Sequence, residues 1–126
     1  MSTYNLPFIP GYANSGNLDS SSISLNATHD ESGLTEYDLH SLNGLVETEF
    51  TYTFFTTNYA HKDERPFILS RSTFPGSGRY ASHWLGDNWR DWSYMKQSIA
   101  GIMSMNMFGI PHTGADICGF FGQTLD

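Results

Sequence analysis

The sequence predicts an α/β fold organised around a strand, a loop, a helix and a second strand. Three observations carry this. Residues 66–71, Pro-Phe-Ile-Leu-Ser-Arg, form a short apolar run opened by proline, the one strand position where a missing N–H costs nothing. Residues 91–108 place Trp92, Met95, Ile99, Ile102 and Met103 on one helical face, with Gly109 and Pro111 as stop signals. Thr113–Ile117 is short and apolar enough for another strand. Strands that alternate with a helix pair in parallel, and chemistry in such folds gathers at the C-terminal strand ends. Arg71, Asp87 and Asp116 are expected at or just after those ends.

The elements follow in chain order. Residues 4–33 read as irregular structure, rich in turn chemistry from Pro7, Pro10, Gly11, Asn14, Gly16 and the run Asp19–Ser22. The alternation Ile23, Leu25, Ala27 admits a short extended piece. Thirty residues of loop is long for a compact domain and suggests a segment lying on something else. Residues 35–57 fit two periods. Leu39, Leu42, Val46, Phe50 and Phe54 share a helix face, while Val46, Thr48, Phe50, Tyr52 and Phe54 alternate like a strand. Asn43-Gly44 adds a potential break. Phe74 to Asn88 reads as a glycine-rich loop.

Composition excludes several classes. The chain has 126 residues, 39% hydrophobic and 15% charged, with a net charge of −7. That charge argues against a phosphate backbone as partner. The low charged fraction, against roughly 25% in average chains, predicts a surface that is neutral or normally covered. Residues 1–61 carry seven acidic side chains and no Lys or Arg, and all six Lys and Arg lie between Lys62 and Lys96. No apolar run approaches the ~20 residues of a membrane span. Met1–Pro10 lacks the basic start of a signal peptide. Cys118 stands alone, so no disulfide closes within the chain.

Candidate chemistry is narrow. The five histidines lack zinc-ligand spacing, so no metal is expected. Gly76 and Gly78 are not followed by a phosphate-loop Gly-Lys-Ser/Thr and fit a tight turn instead. No serine sits in a Gly-x-Ser-x-Gly elbow. Asn26-Ala-Thr is a glycosylation triplet, meaningful only in a secreted chain. Met103, Met105 and Met107 read as core filler. Asp87 beside Trp84 admits two readings. It is a general acid whose carboxyl burial can raise, next to an aromatic wall suited to a sugar face. Alternatively it caps the following helix while Trp84 packs in the core, and spacing alone favours this plainer reading.

Two long segments sharpen the choice. Ser70-Arg-Ser-Thr-Phe-Pro-Gly-Ser-Gly-Arg-Tyr-Ala-Ser-His-Trp-Leu-Gly-Asp-Asn-Trp resembles the acid/base segment of the α-glucosidases in family 31 of the glycoside hydrolases. His112-Thr-Gly-Ala-Asp-Ile-Cys-Gly-Phe-Phe resembles the family's next signature. Leu6-Pro-Phe-Ile-Pro-Gly and Asn26-Ala-Thr-His are similar to the loop before them, so the resemblance spans nearly all of residues 4–126. It is nearest to the branch with lysosomal acid α-glucosidase, maltase-glucoamylase and sucrase-isomaltase.

The resemblance implies a fragment of a (β/α)8 TIM-type barrel, two to three βα units plus a long N-terminal loop, with residues 1–126 as one partial catalytic domain. It implies a helix for residues 35–57, although the threonine-rich stretch Thr48–Thr57 departs from the stronger helix formers usual there. It implies a retaining α-glucosidase that removes α-linked glucose from maltose-type oligosaccharides, glycogen or starch, without a cofactor. Asp87 stands where the family has its general acid/base. Arg71, Trp84, Asp116 and Phe120 match positions around the cleavage subsite. The family's nucleophile lies in a Trp-x-Asp-Met-Asn-Glu segment that this chain does not contain, and a histidine of a later strand would lie beyond Asp126. The chain alone is therefore expected to be inactive and to fold poorly. Cys118 matches a cysteine that in the family pairs with one further along, outside this chain, which implies a lysosomal, vacuolar or secreted parent. The competing reading is a non-catalytic fragment that binds carbohydrate or a partner; an α-xylosidase or an endoplasmic-reticulum glucosidase is a third.

Overall fold

The structure, a computed structural model, describes residues 23–58, 60 and 62–122. The loop character of residues 4–22 and the likeness at Leu6–Gly11 fall outside the described residues. The chain forms two compact units that meet in sequence between Ser41 and Leu42.

In the first unit, the expected extended piece at Ile23–Ala27 is instead a turn, closed by the Ala27 N–H on the Ser24 carbonyl at 2.9 Å. A small antiparallel bridge between Thr28 and Thr35 follows. Gly33, at φ +67°, reverses the chain inside it. Helix α1 (Glu36–Leu39) begins where Asp38 accepts from the Thr35 N–H at 3.1 Å and hydroxyl at 2.7 Å. Glu36 is only 1% exposed, and its two oxygens lie 2.9 Å from His29 Nε2 and 2.8 Å from His40 Nδ1. A carboxylate out of water needs such partners.

The second unit opens with α2 (Asn43–Thr57), which settles the two-period stretch as helix. The threonines make this workable. Thr48, Thr51, Thr56 and Thr57 each donate their hydroxyl to the carbonyl four residues back, at 2.5 to 2.9 Å. The Asn43-Gly44 break is the helix start. A Cβ at Gly44 would meet Ser72 Oγ at 2.5 Å, so only glycine allows that approach. Gly44 and Thr48 are the buried residues, whereas Val46, Phe50 and Phe54 of the expected core face are exposed. The helix docks by its small residues.

Strands β1 (Leu69–Ser70), β2 (Ser82–Trp84) and β3 (Thr113–Gly114) form a parallel sheet in the order β1-β2-β3. The central strand β2 lies inside the stretch expected to be a loop, so β1 does not pair with β3. Before β2, Gly76 at φ +103° leads into a 3-10 turn, Ser77–Arg79. A Cβ on Gly78 would overlap the Gly109 carbonyl oxygen, which confirms the tight turn there. Buried His83 in β2 faces the Ser70 carbonyl through Nδ1 at 3.2 Å.

Helix α3 (Trp92–Met107) joins β2 to β3. Its N-cap is Asp91, which accepts from the N–H groups of Ser93 at 2.8 Å and Tyr94 at 3.0 Å. The Ser93 hydroxyl holds the Asp91 carboxyl below its ordinary range, the Tyr94 N–H assisting. Gly109, at φ +82°, ends the helix, with the Ile110 N–H on the Met105 carbonyl and the Gly109 N–H on that of Asn106. Trp92, Met95, Ile99 and Met103 face outward, as does Met107, so this stripe is not the core of the described residues. Gly101 packs against Leu85, Cβ position to Leu85 Cδ1 3.2 Å.

Candidate active site

The parallel pairing carries the C-terminal ends of all three strands to one edge of the sheet. Arg71 directly follows β1, Asp87 comes three residues after β2, and Asp116 two residues after β3. The expectation for these residues therefore holds, although the middle strand was not foreseen.

Contacts link most of them. The Arg71 guanidinium stands over the Trp84 ring, 5.3 Å from its centroid. The Trp84 indole donates to Asp116 Oδ1 at 2.9 Å. Trp84 is thus half-buried and tethered, neither a core residue nor a free wall. Asp87 does not cap α3, because Asp91 does. The Asp87 carboxylate has no hydrogen-bond partner among the described residues and is half-buried. Gly86, at φ +91°, turns the chain ahead of Asp87, and a Cβ there would lie 3.0 Å from an Arg71 guanidinium nitrogen.

Phe120 lies on the loop after β3, its ring edge-on to Phe121 at 4.7 Å and half-exposed. Its N–H donates to the Asn88 carbonyl at 2.7 Å, and the Phe121 N–H to the same oxygen at 2.9 Å. Trp89 pairs with Phe121 as a parallel bridge, with ring centroids 5.5 Å apart. The Asn88 amide donates to the Asp116 carbonyl at 3.3 Å. Sequence reasoning passed over Asn88, Gly86 and Trp89. The only signal was Leu-Gly-Asp-Asn, turn chemistry immediately around the candidate acid.

Asn88 Oδ1 and Asp116 Oδ2 are excluded from solvent without a partner. Among the described residues, no three His, Cys, Asp or Glu side chains group as a metal site, and no helix is long and apolar enough to cross a membrane. Cys118 is a free, exposed thiol.

A parallel sheet joined by a helix, with an arginine, a tethered tryptophan and two aspartates at its C-terminal edge, has the architecture of a barrel fragment. The chain matches the Glycosyl hydrolases family 31 TIM-barrel domain over residues 12–126 and belongs to that family. It is 48% identical over 126 residues to an α-glucosidase of Schizosaccharomyces pombe, covering 96% of this chain and 13% of that protein. It is 41% identical over 122 residues to the lysosomal α-glucosidase of Bos taurus, covering 97% and 12%. Among solved structures, the glucosidase II alpha subunit with bound alpha3-Glc2 is 36% identical at a TM-score of 0.75, over 82% of this chain and 11% of that one. The chain therefore spans about one eighth of the length of the curated relatives it matches.

Proposed function

We propose that this chain supplies the acid/base part of a retaining α-glucosidase acting on maltose-type α-glucosides. The observation that carries the reading is the single edge shared by Arg71, Trp84, Asp87 and Asp116. Retaining enzymes use two carboxyls roughly 5–5.5 Å apart, one attacking the anomeric carbon and one protonating the leaving oxygen. Asp87 takes the second role and then draws a proton from the incoming water. Its carboxylate makes no hydrogen bond among the described residues, which leaves it open to a substrate oxygen or a water. Arg71 binds sugar hydroxyls, with Trp84 and Phe120 as apolar walls; Asp116 holds Trp84 in place and lines the same pocket.

The nucleophile is outside these 126 residues, so the chain contributes part of a (β/α)8 domain rather than a working site. The outward apolar stripes of α2 and α3 support this, being surfaces that further barrel elements would cover. The exposed Cys118 thiol is open to a cysteine supplied from outside the chain. The lysosomal relatives support a lysosomal, vacuolar or secreted parent. The decisive experiment exchanges the matching segment of a family 31 α-glucosidase for residues 12–126. Maltose hydrolysis is expected, and Asp87→Asn should lower kcat about 10²–10⁴-fold. An active graft indifferent to Asp87→Asn would overturn the assignment, while an inactive graft that still binds maltose would favour a binding fragment.

A further inference from the structure

We propose that Asn88 is a positioning residue that locks the Asp87 arch to the loop after β3; the catalytic meaning of this rests on the acid/base reading above. Residues 85–87 form a three-residue arch tied down at both ends to the same stretch of chain. At the near end the Leu85 N–H donates to the Gly114 carbonyl at 2.9 Å. At the far end the Asn88 carbonyl accepts from Phe120 and Phe121, the Arg90 N–H donates to the Phe121 carbonyl at 2.9 Å, and the Asn88 amide reaches the Asp116 carbonyl.

Most of these ties are backbone bonds that any residue could make. The bond from the Asn88 amide is the side-chain tie nearest Asp87, and it ends on the residue that also holds the Trp84 indole. Acid, aromatic wall and Asp116 are thereby kept in one fixed relation. The other amide atom, Oδ1, is solvent-excluded and unpartnered. An apolar side chain of the same shape would avoid that cost, so what the amide contributes is its donor. Aspartate would turn an acceptor toward the Asp116 carbonyl, and serine is too short to reach it.

The test uses residues 12–126 grafted into the family 31 α-glucosidase described above, with Asn88→Ala and the isosteric Asn88→Leu. Nitrogen-15 labelling confined to the grafted segment leaves its three indole N–H groups, at Trp84, Trp89 and Trp92, to be followed. Exchange of the Trp84 indole proton should accelerate at least about tenfold in both variants, because an Asp116 no longer tied through its carbonyl lets the bond from the indole to its carboxylate open more often. The Leu85 amide and the Trp92 indole should stay unchanged. An unchanged Trp84 signal in both variants overturns the proposal. So does loss of the Leu85 protection in both, which would make Asn88 merely structural. In the grafted enzyme, Asn88→Leu should lower kcat on maltose about tenfold with KM moved less than about twofold. The loss should be smaller for a dinitrophenyl leaving group that needs no proton, and an equal loss on both substrates also counts against the proposal. An inactive parent graft refutes the catalytic reading, while the indole measurement still decides on Asn88.

Discussion

At the residue scale, Trp84 is the joint of the site. One face meets the Arg71 guanidinium, and its N–H is committed to Asp116. Trp84→Phe keeps an aromatic ring but strands Asp116 Oδ1 beside an Oδ2 that already lacks a partner. Leaving such an acceptor unpaired costs about 1–3 kcal/mol, so in the grafted enzyme Trp84→Phe should unfold at a lower urea concentration than the parent graft. Tyr80 offers a check at the alkaline end. Its hydroxyl donates to Glu49 at 2.9 Å, and that bond, with the neighbouring carboxylate charge, raises its pKa above the ordinary 10.0. The stability it contributes is present below pH 10 and is lost as pH rises through the raised folded value. Tyr80→Phe should therefore lower stability at neutral pH, with the difference from the parent closing as pH rises through the alkaline limb.

At the element scale, α3 shows how local chemistry and tertiary contact divide the work. Its ends are legible in the sequence, since Asp91 before the helix and Gly109 with Pro111 after it are stop and start signals with mechanisms. The Asp91 carboxyl is held low by Ser93 and Tyr94, so its contribution is full above about pH 4 and vanishes as pH falls through its lowered folded value. Asp91→Ala should lower the melting temperature at pH 7, with the difference from the parent closing in strong acid. The helix faces were not legible. Apolar periodicity marked Trp92–Met103 as the buried stripe, but the close approaches run through Gly101 and, in α2, Gly44. Strand β2 was missed because three residues, Ser-His-Trp, carry no period. Its identity comes from neighbours on both sides, Leu69 and Ser70 of β1 and Thr113 and Gly114 of β3. Gly78→Ala should cost about 1–3 kcal/mol in thermal unfolding, since the Gly109 carbonyl must move.

At the scale of the whole molecule, the chain is about an eighth of its curated relatives, and under the proposed reading it supplies one of the two carboxyls that retention requires. The purified 126-residue chain is expected to show no maltose hydrolysis and a broad thermal transition. Measurable turnover, or a sharp cooperative transition in the monomer, would contradict this. Family, and the strand-end placement of Arg71, Asp87 and Asp116, could be read directly, because motifs and strand–helix alternation are local properties of the chain. What closes the site could not be read. The Trp84–Asp116 bond joins residues 32 apart, and the Asn88 tie spans 28. Such pairs come together only when parallel strands fall into register. So the sequence by itself determined which residues are available for chemistry and the fold class that carries them. Only the tertiary structure decided which helix faces are covered and which side chains tie Trp84 and the loop around Asp87 to Asp116, because packing across distant segments leaves no period in the chain.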